Sequence, residues 1–395
     1  MLKLFKKYQA QTSPQPMGIE VAYAKGSYIY DQQDKSYLDF VAGVSANVIG
    51  HQPPSVVKAI KKQLDRYMHV MVYGEFVQSP QVELCQKLAE WLPGDLSVTY
   101  LVNSGTEATE GALKLAKRYT GRPEIIAAKR SYHGNTQGSM SVMDYPARKN
   151  PFMPLIPGTN FIRFNNFDDL EKITPQTAAV ILETIQGGAG FIEPQNNYLK
   201  AVKQRCEQTG TLLILDEIQT GFARTGRLFG FENYDVIPDI VIMGKALGGG
   251  MPIGAFTSTP TIMQSLTNPP MGHITTFGGH PVIAAAALAT MSYIEKHYLH
   301  NEALRKEQII RENLKHPLIQ EIRGRGLMLS LIMDREETAN KLILESLKNG
   351  LILFWLLYEK RAVRITPPLT ISEAELMKGI KIILNLLDDI QSGKL

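Results

Sequence analysis

Six short apolar runs that alternate with helical patterns constrain the fold of this 395-residue chain more than any other feature. Runs rich in Leu, Ile and Val without polar alternation are typical of strands buried on both faces. Strands that alternate with helices predict βαβ units, hence an α/β fold with a mostly parallel central sheet. In such sheets ligands bind beyond the carboxyl ends of the strands. The runs are TYLVNS (99–104), EIIAAK (124–129), AAVILET (178–184), TLLILDE (211–217), DIVIMG (239–244) and PIGAFTS (252–258).

The pattern changes after the small-residue helix predicted over 280–297. Beyond it, helical patterns alternate with the strand-like segments LMLSLIM (327–333) and AVRITPP (362–368), which indicates a smaller α+β domain. The N-terminal region also contains short strand-like pieces within 27–40, and we expect it to pack with the C-terminal part. The predicted parts are an N-terminal segment 1–50, a large domain 51–299 and a small domain 300–395.

Composition excludes several classes of protein. The formal net charge is +4, with 44% hydrophobic and 20% charged residues, which gives no reason to expect nucleic acid or a membrane surface as partner. The longest apolar stretches, such as 351–358, are too short to span a bilayer, and the N-terminus lacks the apolar core of a secretory signal. Cys85 and Cys206 fit no metal-binding spacing, so no metal is expected, and two lone cysteines suit a reducing cytoplasm.

The run TLLILDE ends in two acids, Asp216 and Glu217, at a position that should lie near the core of the domain. An unpaired charge is costly there. A cationic partner for Asp216 is therefore expected, although an acid at this position can also cap the following helix.

The segment VNSGTEATE (102–110) predicts a strand that ends in a Ser-Gly-Thr turn and opens a helix. Free amide groups at the helix N-terminus, with the hydroxyls of Ser104 and Thr106, can form a cradle for an anion. Gly105 allows an anion to approach the backbone closely. A plain capping motif, with Ser104 as the cap and Glu107 in the first turn, explains these residues equally well.

A third strand end carries Lys245, within VIMGKALGGGMPIG (241–254). A lysine at such a place is a candidate amine for condensation with a carbonyl, whereas a lone lysine is more often a solvated loop residue. The cradle, Asp216 and Lys245 together match a phosphorylated aromatic aldehyde. Pyridoxal 5′-phosphate is such a molecule: its phosphate suits the helix N-terminus, its aldehyde Lys245 and its ring nitrogen Asp216.

Several motifs resemble those of the class III, or ω-, aminotransferases, and of the acetylornithine and ornithine enzymes in particular. They run in order from about residue 18 to the C-terminus and cover nearly the whole chain. The resemblance implies a fold-type I homodimer, with each active site shared between two subunits. The motifs are NSGTEA, YHG, LDEIQTGFARTGRLFGFE, PDIVIMGKALGGGMPIG, TTFGGHP, IRGRGLM and RITPPLT.

The resemblance also implies which residues surround the cofactor ring. Tyr132 and His133 of YHG would lie at the cofactor, with Tyr132 stacked on one face of the ring. Ile218 would pack on the opposite face, and Gln219 would lie near the phenolic oxygen. Glu183 matches the first acid of the family's ExxQG motif.

Further roles follow from the same resemblance. Lys245 matches the lysine that is linked to the cofactor, and Asp216 the acid that pairs with the pyridinium nitrogen. Gly105 and Thr106 would hold the phosphate, and Thr276 would reach it from the neighbouring subunit.

Substrate recognition is where the sequence departs from these relatives. Arg364 of RITPP matches the arginine that binds a substrate α-carboxylate, for which a planar guanidinium is suited. The relatives usually have a second arginine after HG, but here Asn135 stands there. They also have a glutamate after QG that gates the first arginine, but here the residue is Gly188. Val44 stands near the place where some ornithine-specific relatives have a tyrosine.

We therefore predict a pyridoxal-phosphate-dependent aminotransferase that moves an amino group from a small-molecule ω-amino donor, acetylornithine-like or ornithine-like, to 2-oxoglutarate or a similar 2-oxo acid. An enzyme for 4-aminobutyrate or lysine is the alternative, and a class III racemase is a more distant one. LLILDE also resembles the Walker B strand of nucleotide hydrolases, but no credible phosphate-binding loop precedes it. A non-enzymatic binding role would predict no dependence on Lys245.

Overall fold

The computed structural model describes residues 1–71 and 74–395. The helices are α1 Leu2–Tyr8, α2 Ala42–Ser45, α3 Pro54–Leu64, α4 Ser79–Trp91, α5 Gly105–Thr120, α6 Gln137–Ser141, α7 Pro146–Lys149, α8 Tyr198–Thr209, α9 Pro260–Met263, α10 Pro281–Lys296, α11 Leu299–Asn313, α12 Glu336–Lys348 and α13 Glu373–Gln391. The strands are β1 Val21–Lys25, β2 Tyr28–Asp31, β3 Ser36–Asp39, β4 Val98–Val102, β5 Glu124–Ala128, β6 Thr159–Ile162, β7 Thr177–Glu183, β8 Leu212–Asp216, β9 Ile240–Gly244, β10 Gly254–Ser258, β11 Ile319–Arg325, β12 Met328–Met333, β13 Leu351–Ile352, β14 Phe354–Trp355 and β15 Ala362–Ile365.

A seven-stranded sheet in the order β4-β10-β9-β8-β7-β5-β6 forms the centre of the molecule. Strand β10 runs antiparallel to both of its neighbours, and the other pairs are parallel. The α/β prediction with a mostly parallel sheet is confirmed. The carboxyl ends of β4, β9, β8 and β7 consequently lie along one edge of the sheet, where the amino end of β10 joins them.

Strand β8 shows why the apolar runs lack polar alternation. All five of its residues are buried. Leu213 and Leu215 pack into the larger apolar cluster on one face of the sheet, whereas Leu212 and Ile214 pack into a second cluster on the other face. Burial of each such side chain contributes about 1.5–3 kcal/mol, so both faces hold the strand, and its acidic end, in place.

Two smaller sheets flank the central one, in the orders β1-β2-β3-β13 and β11-β12-β15-β14. In the first, β3 pairs in parallel with β13, with Leu38 opposite Leu351. An N-terminal strand is thus hydrogen-bonded to a C-terminal one, although the division of the chain at residues 50 and 299 stays a prediction. Within the described ranges, no helix combines the length and the apolar character needed to cross a membrane.

Candidate active site

Strand register brings the predicted chemical groups together at one edge of the central sheet. Glu183 and Asp216 are register partners at the ends of β7 and β8. Gly254 of β10 is opposite both Gly244, which precedes Lys245, and Val102 of β4. The cavity at this edge has a volume of 580 Å³, within the usual range for small-molecule sites. Its lining residues are Val44, Gly105, Thr106, Tyr132, His133, Gly134, Asn135, Arg148, Glu183, Ile185, Gly188, Asp216, Ile218, Gln219, Thr220, Lys245, Phe354, Trp355, Leu357 and Arg364.

The predicted anion cradle is the N-terminus of α5, a 16-residue helix. The Ser104 hydroxyl caps this helix by accepting from the amide of Glu107 at 3.3 Å. The amides of Gly105 and Thr106 belong to the first turn, where helical geometry provides no acceptor. A Cβ on Gly105 would lie 2.7 Å from Cδ1 of Ile218. A larger residue at this position would therefore displace the Ile218 side chain from the first turn.

The Thr106 side chain is tied to a hydroxyl cluster beside the cradle. Its Oγ1 lies 2.7 Å from Oγ1 of Thr136 and 2.8 Å from Oγ of Ser139. Thr106 lines the cavity, whereas Ser104 is not among the described residues that line it. The capping explanation thus accounts for the Ser104 hydroxyl, and a role for Ser104 at a cofactor stays a prediction.

Asp216 is buried and has two partners within the protein. Its Oδ1 accepts from the backbone amide of Ile218 at 3.0 Å, and its Oδ2 lies 2.7 Å from Nδ1 of His133. His133 is itself buried, and its Nε2 has no partner among the described residues. The imidazole therefore orients the carboxylate, a contact that the sequence did not predict.

Lys245 directly follows β9 and has a left-handed backbone conformation, with φ 43°. Burial lowers the pKa of its amine, an effect that the nearby negative charge of Asp216 opposes. A Cβ on the preceding Gly244 would lie 3.6 Å from the Cα of Gly105. The lysine backbone thus passes close to the cradle, and its amine has a reduced affinity for protons.

A second buried acid, Glu183, organises the loop that carries Tyr132. Its Oε2 accepts from the amide of Tyr132 at 3.1 Å, and its Oε1 accepts from the amide of Gly187 at 3.0 Å. Burial raises the pKa of Glu183 to about 7 despite these donors. Asn135 donates from Nδ2 to the Tyr132 hydroxyl at 3.2 Å, so part of its polar capacity is used inside the protein.

Gln219, with its predicted role near the phenolic oxygen of the ring, and Val44 both line the cavity. The side-chain Nε2 of Gln219 donates to Oγ of Ser45 at 3.3 Å. This hydrogen bond directs the Gln219 side chain toward the turn that contains Val44. Val44 has φ 60°, which is unusual for a β-branched residue.

Arg364, in β15, supplies a guanidinium that is buried and incompletely bonded. It is 6% exposed, and its Nε and Nη1 have no partner among the described residues. The guanidinium carbon lies 5.3 Å from the centre of the Phe191 ring. Burial lowers its pKa to about 10. An unpaired buried cation that lines a cavity is a natural site for an anionic ligand group.

The mouth of the cavity contains residues that the sequence did not single out: Arg148 of α7, Phe354 and Trp355 of β14, and Leu357. No local motif marks them, since they come from a short surface helix, from a two-residue strand and from the loop that follows this strand. Phe354 pairs in register with Arg364, and this pairing brings β14 to the cavity.

Tyr358 occupies the space beside Gly188. A Cβ on Gly188 would lie 2.9 Å from Cε2 of this ring, and the Tyr358 amide donates to the Gly188 carbonyl at 2.9 Å. The glycine is thus explained by the close approach of the tyrosine.

Thr276 is the residue that the resemblance assigned to the phosphate of the neighbouring subunit. It is exposed and is not among the described residues that line the cavity. Within this single chain, the structure therefore brings together every predicted site residue except Ser104 and Thr276.

The chain is similar to known proteins along nearly its whole length. The family model for class III aminotransferases matches residues 8–387. The acetylornithine aminotransferase of Caldanaerobacter subterraneus is 35% identical over 99% of this chain and its own full length. The putrescine aminotransferase of Pectobacterium atrosepticum is 38% identical over 89% of this chain and 79% of its own. A solved structure of the ornithine aminotransferase of Toxoplasma gondii, described with partial occupancy of PLP at its active site, superposes with a TM-score of 0.92 at 30% identity, covering 99% of this chain and 94% of that one.

Proposed function

The chain belongs to the class III aminotransferases and is a pyridoxal-phosphate-dependent transaminase, and we propose that Lys245 and Asp216 carry its chemistry, with an ω-amino compound as donor and a 2-oxo acid as acceptor. One observation carries this proposal. A reactive amine, a fixed carboxylate and a helix N-terminus lie around one cavity at the same edge of the sheet. The nucleotide-hydrolase alternative has no support from the family match.

The residues present fit the cofactor. Its phosphate needs free donors, and the first-turn amides of α5 at Gly105 and Thr106 have no acceptor within the helix. Gly134 lets its loop pack against Thr106, since a Cβ there would lie under 3.0 Å from the threonine side chain. The first-turn amides of α5 and the Thr106 hydroxyl would hold this phosphate. When bound, pyridoxal phosphate supplies an aldehyde that exchanges amino groups and a protonated ring that withdraws electrons.

Asp216 is proposed to hold the proton on the ring nitrogen. His133 and the Ile218 amide fix the position of the carboxylate. Because its position is set in advance, no reorganisation is needed when negative charge develops during the reaction.

Lys245 is proposed to act through its Nζ, first as the amine that secures the cofactor and then as the group that removes and returns a proton on the substrate. Burial lowers the pKa of this amine. A lowered pKa raises the fraction of neutral amine, which is the form that acts as a nucleophile and a base.

Arg364 is proposed to bind the α-carboxylate of the oxo acid. The Nε and Nη1 donors of its buried guanidinium have no partner among residues 1–71 and 74–395. The glutamate that gates this arginine in the ornithine and acetylornithine enzymes is replaced by Gly188, and Tyr358 occupies the adjacent space. Arg364 is therefore proposed to remain open to α-carboxylates throughout the reaction.

An acetylornithine-like or ornithine-like donor is the first candidate, because relatives of both names match along nearly the whole chain. Enzymes for 4-aminobutyrate or lysine remain alternatives, since Asn135 and Gly188 depart from the pattern of the first group. The test is a screen of amino donors with 2-oxoglutarate and with pyruvate, read as the amino acid formed. Absence of product with every ω-amino donor, while α-amino donors react, would contradict the ω-amino assignment.

A homodimer with shared active sites is proposed from exposed apolar surface near Thr276. Ile274 and Phe277 flank this residue and are exposed. A second cavity of 430 Å³ beside the same segment is lined by Phe76 and Val77, and Val77 is 95% exposed. Patches of this kind mark protein interfaces. The test is the molar mass of the active protein in solution. A value equal to that of a single chain would contradict the dimer.

A cytoplasmic location is proposed from cysteine usage. Cys85 and Cys206 are both free thiols, which suits a reducing compartment.

A further inference from the structure

The substrate cavity contains two arginines in different surroundings. Arg364 is buried, whereas Arg148 is exposed on α7 at the mouth. Both line the same cavity as Lys245. The acids of the lining, Glu183 and Asp216, already accept hydrogen bonds within the protein. A substrate carboxylate that enters this cavity therefore has two guanidinium groups available, apart from the reacting amine.

Contacts of neighbouring residues hold the segment that carries Arg148 in place. Its guanidinium carbon lies 5.8 Å from the centre of the Tyr145 ring, whose centre is 4.9 Å from that of Tyr358. The Tyr358 hydroxyl donates to the carbonyl of Ser131 at 2.9 Å. On the next residue, the Lys149 ammonium donates to two backbone carbonyls at 3.0 and 2.9 Å. The backbone that carries Arg148 is thus held on both sides.

The charge of Arg148 is not neutralised within the described chain. No carboxylate of those residues lies within salt-bridge distance of it, and its side chain makes no hydrogen bond to them. Arg163 shows the contrasting case, because Asp169 accepts from both its Nε and its Nη2, at 3.0 and 3.1 Å. The charge of Arg148 also acts on Tyr132, which lines the cavity. Burial raises the pKa of Tyr132, and the positive charge of the guanidinium opposes that rise.

The surroundings of Arg148 suit one end of an extended substrate. Asn135, at the position where relatives have an arginine, offers no charge and donates to Tyr132. Apolar side chains, among them Phe354 and Leu357, line the same cavity. A chain of methylene groups would bury its apolar surface against them, with a carboxylate at the mouth and the reacting carbon at Lys245.

We propose that Arg148 binds the carboxylate that a substrate carries at the end remote from its reacting carbon, and so selects donors with a distal carboxylate over diamines and simple amines. This inference rests on the transaminase function proposed above. A positive charge at the mouth attracts a distal carboxylate and repels the distal ammonium of a diamine. Arg148 is thus a specificity-determining residue for the same reaction.

The test compares two donors that differ only by the carboxylate, 5-aminopentanoate and pentylamine. The cofactor-loaded protein is mixed with each donor without acceptor, and the half-reaction is followed by the change in visible absorption of the cofactor. In Arg148→Gln, kcat/KM for 5-aminopentanoate is expected to fall about 10- to 100-fold, mainly through KM, as loss of a charge-assisted contact predicts. The value for pentylamine is expected to stay within about twofold, and Arg148→Lys is expected to recover part of the loss.

Arg335→Gln is the matched control, since Arg335 is an exposed arginine at the start of α12 that does not line the cavity. Equal losses for both donors in Arg148→Gln, or no loss for 5-aminopentanoate, would overturn the inference while leaving the transaminase function intact. No absorption change with any amine in the wild-type protein would overturn that function and the inference with it.

A measurement on the wild-type protein alone gives an independent check. Glutarate and butyrate are compared as inhibitors, because the dicarboxylate can contact Arg148 while the other carboxylate occupies Arg364. Tighter binding of glutarate, with a preference that weakens as salt is added, is expected. Equal binding of the two compounds would contradict a second carboxylate site.

Discussion

The floor and the mouth of the cavity are built in different ways. The floor consists of Asp216, Lys245 and Gly105 at the edge of the central sheet, where strand register and two apolar clusters fix the backbone. The mouth includes Arg148 and Trp355, which are carried by a four-residue helix and a two-residue strand. We infer from this difference that the proposed cofactor chemistry depends on the sheet, whereas the proposed substrate choice depends on short elements that can vary without disturbing the sheet.

A substitution at the floor should have the largest effect. Asp216→Asn keeps the shape of the side chain but removes the charge that we propose to lie beside the ring nitrogen. We expect kcat to fall about 10²- to 10³-fold, as when one preorganised electrostatic group is lost. His133→Gln, which removes the support of Asp216 but not its charge, should lower kcat less. Equal kcat in wild type and Asp216→Asn, with the cofactor bound in both, would show that another acid serves the ring.

Arg364 connects the floor to the mouth, and its removal should affect binding more than chemistry. In Arg364→Ala, KM for 2-oxoglutarate is expected to rise about 10- to 100-fold, because a buried charge-assisted contact is lost. Asn135→Ala, which removes only neutral hydrogen bonds, is the comparison and should change KM much less. Steady-state kinetics with varied oxo acid measure both. An unchanged acceptor KM in Arg364→Ala would place the α-carboxylate elsewhere.

The contribution of the contact between Gly188 and Tyr358 to stability can be measured by substitution. Because a Cβ at residue 188 would lie 2.9 Å from the tyrosine ring, Gly188→Ala is expected to lower the free energy of unfolding by about 1–3 kcal/mol. The same change in a Tyr358→Ala background should cost much less, which a double-mutant cycle of chemical denaturation measures. Equal costs in the two backgrounds would contradict the close packing.

Gly188→Glu restores the acid that relatives carry after QG. It should favour ω-amino over α-amino donors by masking Arg364, provided that Tyr358 moves aside. Donor ratios in the single variant and in the Gly188→Glu, Tyr358→Ala double variant measure this. An unchanged ratio in both would show that the missing acid does not determine donor choice.

A separate effect concerns the pH dependence of stability. Burial raises the pKa of Glu183 from 4.5 to about 7, so the folded state holds a proton that the unfolded state has released in this range. Stability from this group is therefore present below pH 4.5 and is lost as the pH rises toward 7, with a slope of up to about 1.4 kcal/mol per pH unit. Glu183→Gln should remove this component from the pH profile of the unfolding free energy. Parallel profiles for the two proteins would contradict the raised pKa.

The floor could be predicted from the sequence because each of its parts has a local signal. The apolar run before Asp216 and the Ser-Gly-Thr turn after β4 predict that these residues lie at strand ends, and strand register then brings the ends together. Strand β6 was not predicted, since its sequence TNFI is short and half polar. The capping role of Ser104 could not be separated from anion binding by sequence alone.

Contacts between distant segments could not be predicted in the same way. The pairing of His133 with Asp216 depends on how the loop after β5 folds back over the end of β8. Arg148 has the sequence context of an ordinary surface arginine. It lines the cavity only in the folded chain, where nearby Tyr145 packs on Tyr358. Tertiary packing, rather than local pattern, determines both.

The most direct test of the account is to identify the lysine that is linked to the cofactor. The purified protein is reduced with borohydride, which converts that link to a stable amine, and the modified peptide is mapped by mass spectrometry. Lys245→Ala is treated in parallel. We predict that the wild-type protein loses its visible absorption and carries the adduct on Lys245 alone, whereas Lys245→Ala retains bound cofactor without an adduct and does not transaminate. An adduct on a different lysine, or a wild-type protein that binds no pyridoxal phosphate, would contradict the assignment.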